Sequence, residues 1–186
     1  YEYLKSKPGV YDSLLLLVDK LGIEQTLRDS NVTLFAVSNS SFQLAIKNLN
    51  DTRRQNDKRA MFLAEIASGK AATQADAEKA KSDRAQIDTM VSRYIIKGLY
   101  SSADFALGDG QAVYSVRGNF PMHGKRQNAD AQGMQYGGPE IIEFADTKRS
   151  VFTPNWAITT TNSVNIKTKN GMVHLIEPQH VFGYDE

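Results

Sequence analysis

A chain of 186 residues is the usual size of one domain, long enough to bury about two-thirds of its unfolded surface in a single core. Hydrophobic residues make up 41% and charged residues 23%, with a mean hydropathy of -0.42, which excludes disordered and collagen-like chains. The longest uninterrupted apolar run, Leu14 to Val18, falls far short of the ~20 residues a membrane-spanning helix needs. Lys and Arg number 22 against 21 Asp and Glu, a net charge of +1, so no strong field draws the chain to nucleic acid or anionic lipid. With no cysteine, disulfides, thiol nucleophiles and Cys-ligated zinc are excluded. The chain starts at Tyr1 without a Met and reads as a processed or trimmed product, any signal peptide or lipid anchor lying upstream.

In chain order, Val10, Leu14, Leu17, Val18 and Leu21 recur at helical spacing behind Pro8, predicting helix within 10–28 with Gly22 as a stop. Val32 to Val37 is a β-branched and aromatic run bounded by polar residues and predicts a buried strand. Ser40 and Gln43 have the spacing of a helix-opening capping box, and Phe42, Ile46 and Leu49 supply the buried stripe of a helix over 40–49. From Asp51 to Arg84 the composition turns charged and Ala-rich around an apolar island at Met61-Phe62-Leu63 and Ile66. This predicts two surface helices joined near Ser68-Gly69, with a solvated stretch from Ala71 to Lys81. A helix over 84–94 then leads into a short strand, Tyr94 to Ile96, and Ser101-x-x-Asp104 caps one further helical turn.

After Gly110 the pattern alternates with period two. Gln111 to Val116, Glu140 to Phe144, Ser150 to Thr153, Ala157 to Thr161, Val164 to Thr168 and Met172 to Ile176 are strand candidates. Gly118 to Gly138 reads as a Gly-rich polar loop. Asn170-Gly171 between strand-like runs predicts a type I′ hairpin with both residues at φ > 0. Helices first and strands second give an α+β class, N-terminal helices packed on a mostly antiparallel sheet or wedge formed largely by the C-terminal half.

Catalytic motifs fail residue by residue. Gly118 to Arg126 has too many residues between its glycines for a phosphate loop, contains Pro121, and carries Arg126 where Ser or Thr would hold magnesium. Gly108-Asp109-Gly110 lacks the third glycine of a dinucleotide fingerprint, Val113 standing in its place. His174, His180 and Glu177, with Asp185 nearby, could be imagined around zinc. A mid-strand His beside Val173 and Leu175 is more simply a hydrogen-bonded core residue, and no metal is expected. Glu140 and Glu143 fall on opposite faces of a strand, the wrong arrangement for paired carboxylates. Two aromatics stand in polar surroundings, Tyr136 in the Gly-rich loop and Trp156, the only Trp, after Thr153-Pro154-Asn155. They are the candidate ligand-binding residues, because exposed rings offer large contact area at little entropic cost; the competing reading makes Trp156 a core plug. Glycosylation sequons begin at Asn31, Asn39 and Asn50.

Two stretches carry a family resemblance. Thr33-Leu-Phe-Ala-Val-Ser-Asn39-Ser-Ser-Phe42 resembles the first conserved box of fasciclin domains, and Asn170-Gly-Met-Val-His174-Leu-Ile-Glu177 resembles the second. The helix at Val10 to Leu21, the Tyr94 to Phe105 segment and Gly110 to Gly118 fall in family order. Val37-Ser38 replaces the family's Pro-Thr, Glu177 its Asp, and Arg93-Tyr94 its central Tyr-His pair, so adhesion through that pair is not carried over. The resemblance implies one fasciclin-like domain over 1–186, with insertions around 51–84 and 118–161 where function specific to this chain would sit. It implies a non-enzymatic, extracytoplasmic adhesion or binding module, secreted or anchored at a cell surface as in bacterial surface lipoproteins. Its partner would be a surface or matrix protein or a glycan, with no cofactor, no nucleic acid, and membrane contact only through an anchor outside this chain. The alternatives are a structural spacer without its own ligand, and a hydrolase whose residues meet only in three dimensions.

Overall fold

The computed structural model describes residues 1–70 and 76–184; Asp185 and the first part of the predicted solvated stretch lie outside them. The predicted N-terminal helix is divided. A short α1 (Glu2–Lys5) comes first, then α2 (Asp12–Lys20) and α3 (Glu24–Asp29). Leu14, Leu17 and Val18 are buried as the spacing predicts, whereas Val10 precedes the helix and is exposed. The break falls at Gly22, whose φ of +67 is a conformation glycine adopts without steric cost.

β1 (Val32–Ala36) is buried along its whole length. Phe35 points into the sheet's interior and Leu34 and Ala36, by alternation, to the other face, which is also covered; an unbroken apolar run follows from burial on both sides. The next helix, α4, runs Asn39–Gln55, longer than predicted at both ends. It starts behind Ser38 with no side-chain cap bond. Ser40 therefore caps nothing: its hydroxyl meets Ser38 Oγ at 2.8 Å and Pro178 O at 3.1 Å. Phe42 is buried, but Leu49 is exposed. Of the helices foreseen in and after the charged stretch, the first is α5 (Leu63–Ser68), closed by Gly69 at φ +62, while α6 (Ala77–Ser92) is one continuous helix that takes in the end of the stretch expected to be solvated and most of the helix predicted over 84–94. The Ser101–Asp104 capping box is present on a 3-10 turn at Ser102–Asp104.

The remaining strands are β2 (Ile95–Lys97), β3 (Gln111–Tyr114), β4 (Pro121–Asn128), β5 (Glu140–Asp146), β6 (Ala157–Lys167) and β7 (Gly171–Ile176). They join β1 in one sheet of order β2-β1-β7-β6-β5-β4-β3. The β1/β7 pair is parallel and the other ladders are antiparallel. An Ile96–Ser115 bridge and the Val116 N–H to Ile95 O bond at 2.9 Å bring the two edge strands together, so the sheet curls into a nearly closed barrel. The architecture is α+β as the element order predicts.

Four expectations are corrected. The segment taken as a Gly-rich loop contains β4; Gly124 is there because a Cβ at that position would lie 2.2 Å from the Phe105 ring. Ser150 to Thr153 forms no strand, since Thr153–Asn155 with Pro154 makes a 3-10 turn. Ala157–Thr161 and Val164–Thr168 merge into β6, whose register shifts between Thr161 and Ile166 mark bulges. Finally, neither Asn170 nor Gly171 has positive φ, so the hairpin is not type I′. Thr168 N–H closes on Gly171 O at 2.9 Å instead, and Gly171 is needed because its missing Cβ would stand 3.0 Å from Val32 O on β1.

Inside the barrel Phe35 stacks on Phe144 at 3.8 Å, with Phe105 edge-on at 6.3 Å. A second aromatic group links the sheet to α4: Tyr94 stacks on Tyr184 at 5.3 Å, and Phe182 lies 4.3 Å from Phe42.

Candidate functional site

β5 ends at Asp146, and the turn after it has the φ signs that the sequence suggested for Asn170-Gly171. Ser150 N–H donates to Thr147 O at 2.8 Å, and Lys148 and Arg149 sit at φ 48 and 55. A left-handed non-glycine residue costs on the order of 1 kcal/mol, so something must hold the turn. Asp146 does: Oδ1 accepts Lys148 N–H at 2.9 Å while Oδ2 pairs with Arg93 Nη1 at 2.9 Å. Thr147 Oγ1 adds a bond to Pro121 O at 3.1 Å. The turn lifts Lys148 and Arg149 into solvent, where neither forms an ion pair among the described residues.

The chain then exposes Val151 to 85% and Phe152 to 69%. Ser150 fixes this segment, its Oγ accepting Phe152 N–H at 3.1 Å and its carbonyl accepting Trp156 Nε1–H at 2.8 Å. The Trp156 ring rests 4.6 Å from His123, half-buried. Ile158, 51% exposed, pairs with Ala145, which pairs with His123, so the three form one row across the outer face of the sheet. Trp156 is thus neither in the barrel core nor a free ring. It braces an outer-face surface made of Lys148, Arg149, Val151, Phe152 and Ile158.

Tyr136 is elsewhere. It is 55% exposed at φ 57 in the β4–β5 connection, its N–H bonded to Asp130 Oδ1 at 2.8 Å. The β5 strand separates this connection from the 147–156 segment, about 20 Å along the strand, and among the described residues no ring contact joins Tyr136 to Trp156. The structure separates the two candidate aromatics; Ser150 ties Trp156 to the Val151-Phe152 segment and the strand register puts Ile158 in the row of His123, on which the Trp156 ring rests. The signal available for them was the Val151-Phe152 pair ahead of a Pro turn, hidden by its resemblance to period-two alternation.

His174 and the two box motifs serve the interior. His174 is fully buried and bonded through both ring nitrogens: Nε2–H donates to Tyr100 O at 2.9 Å and Nδ1 accepts Asn165 N–H at 3.2 Å. Asn165, at φ 64 on the β6 bulge, passes the network to Ser102 at 2.7 Å, and Ser102 to Glu140. Thr33 Oγ1 accepts Tyr100 N–H and donates to Gly98 O, both at 2.8 Å. Thr33 and His174 together therefore fix the 98–102 segment. Burial, opposed by the Tyr100 bond, pushes the His174 pKa down to about 4, and burial alone pushes His180, bonded to the Tyr94 hydroxyl at 2.6 Å, down to about 4. Among the described residues no group of three His, Asp or Glu side chains is placed to hold a metal ion.

Two sequon asparagines are likewise engaged. Asn39 accepts Ser13 N–H at 2.8 Å and donates to Gly9 O at 2.9 Å, tying the start of α4 to the start of α2. Asn50 holds the Met61 backbone at both its N–H and its carbonyl. A glycan on either amide nitrogen would displace these bonds, whereas Asn31 is exposed.

No protein-family model matches the chain, and no curated protein matches it. Among solved structures it is similar to a FAS1 domain pair from the insect cell adhesion molecule fasciclin I, over 93% of this chain and 44% of that one, at a TM-score of 0.48 and 14% identity. The chain spans less than half the length of that structure.

Proposed function

We propose that the chain is a non-enzymatic, extracytoplasmic binding module that engages an acidic surface or matrix protein, or an anionic glycan, through the 148–158 face. The observation that carries this reading is the pairing of solvent-exposed Lys148 and Arg149 with exposed Val151 and Phe152 on a turn held in an unfavourable conformation by Asp146. Strained left-handed residues persist where surrounding structure over-determines them, and they cluster at recognition sites. Exposed apolar side chains rimmed by charge are the composition of contact surfaces. Of the histidines, the residues most often used for acid–base work, His174 is fully buried and His180 half-buried, both neutral and bonded inside the fold, which supports binding over hydrolysis.

The test immobilises the chain and probes it with a panel of carboxylated and sulfated glycans and with cell-surface protein extract, beside the Lys148→Gln/Arg149→Gln and Val151→Ser/Phe152→Ser variants. Retention that falls with rising salt and is lost in both variants supports the reading. Retention equal in all three proteins moves the contact elsewhere, and no retention by the parent favours a spacer.

A further inference from the structure

Set apart from the face described above, a cavity of about 220 Å³, open on one side, lies between α4, α5 and α6. Phe42, Ile46 and Leu49 line it from α4, Ile87 and Met90 from α6, and Met61 from the intervening segment. Phe42 and Ile87 are buried and form its floor, while Leu49 and Lys79 are exposed at its mouth. The wall is fixed, because Asn50 clamps both backbone polar groups of Met61 at 2.8 and 2.9 Å. An apolar cavity of about 150 Å³ stays dry and takes a benzene ring, so this larger one has room for a short alkyl tail.

The charged lining residues are Arg53, Lys79 and Asp83. Lys79 and Asp83 neutralise each other across 2.6 Å. Arg53 is half-buried, and its Nε–H goes to Arg59 O at 2.6 Å. Its two terminal nitrogens have no partner among the described residues, and the nearby Glu65 is taken by Arg59. A guanidinium so placed presents a two-pronged donor suited to a carboxylate. We infer that this cavity binds a free medium-chain carboxylate, its tail of about eight to ten carbons in the α4–α5–α6 cavity and its head group on Arg53.

The probe is decanoate, with hexanoate and decanol as controls, on the whole chain labelled with carbon-13 at its methionine methyls. The five methionines include two lining residues, Met61 and Met90. Decanoate is expected to shift the Met61 and Met90 signals saturably and leave Met122 and Met172, which lie in the sheet, in place. Hexanoate should bind at least about tenfold more weakly. Arg53→Gln should weaken decanoate about tenfold and leave decanol unchanged. Ala45→Phe, which fills the cavity, should abolish the shifts while retaining the melting transition; should it not fold, the wild-type methyl map and Arg53→Gln still decide. Shifts that do not saturate, shifts shared equally by Met122 and Met172, or decanoate affinity unchanged in Arg53→Gln would each overturn the assignment.

Discussion

The two faces of the barrel treat their side chains in opposite ways. Inside, Phe35, Phe144, Phe105 and Met122 fill the space, and two polar members are bonded to the backbone: His174 uses both ring nitrogens and Thr33 bonds to two backbone groups. Outside, at the β5–β6 connection, Val151 and Phe152 stand in water beside Lys148 and Arg149, and a buried carboxylate holds the turn that puts them there. Interior residues hold the fold and leave nothing free to recognise a partner; the outer face holds little of the fold and is free to. Substitutions should therefore divide into those that cost stability and those that cost binding.

Acid is expected to strike the interior hardest. His174 and His180 titrate near 4 when folded against 6.5 unfolded, both lowered chiefly by burial. Their contribution is complete above pH 6.5, where both states are neutral, and is lost as pH falls through about 4, because the unfolded chain takes up the protons first. The loss should reach on the order of 3 kcal/mol for each residue near pH 4, measured by urea unfolding from pH 7 to 4. A flat profile over that range would show that the histidines are not buried. Phe35→Ala should cost roughly 3–5 kcal/mol, as the Phe144 ring loses its stacking partner and a cavity opens; a loss below about 1 kcal/mol would place Phe35 at the surface. Gly124→Ala should cost about 1–3 kcal/mol through its collision with Phe105, and an unchanged denaturation midpoint would mean that β4 does not pass beneath that ring. The smallest effect belongs to the outer face: Val151→Ser/Phe152→Ser should move stability by no more than about 0.5 kcal/mol.

The sequence was legible where one force acted alone. The β1 run and the Asn170 to Glu177 segment read as strands because burial demands apolar residues there, and they lie side by side as the parallel pair of the sheet. Legibility failed where a residue's reason lay across the fold. Gly124 looked like a loop residue, although what it accommodates is Phe105. Asn170-Gly171 looked like a turn chosen for positive φ. Asn170 instead donates to Leu27 O and Ser30 O at the end of α3, and Gly171 makes way for β1. A left-handed turn occurs instead at Lys148-Arg149, where no local preference favours it and bonds from Asp146 and Thr147 hold it. Of the two candidate rings, Trp156 stands out in the sequence by its isolation, but what lies around it depends on the β4–β5–β6 register, and Tyr136 is near it along the chain without being near it in space.

The most direct test of the division between the two faces measures stability and binding on the same variant. Val151→Ser/Phe152→Ser is compared with the parent by urea denaturation and by retention of anionic glycans and cell-surface proteins. The account predicts denaturation curves that superimpose within about 0.5 kcal/mol and retention reduced by about tenfold or more. Retention equal to the parent's, or a destabilisation of several kcal/mol, would contradict it.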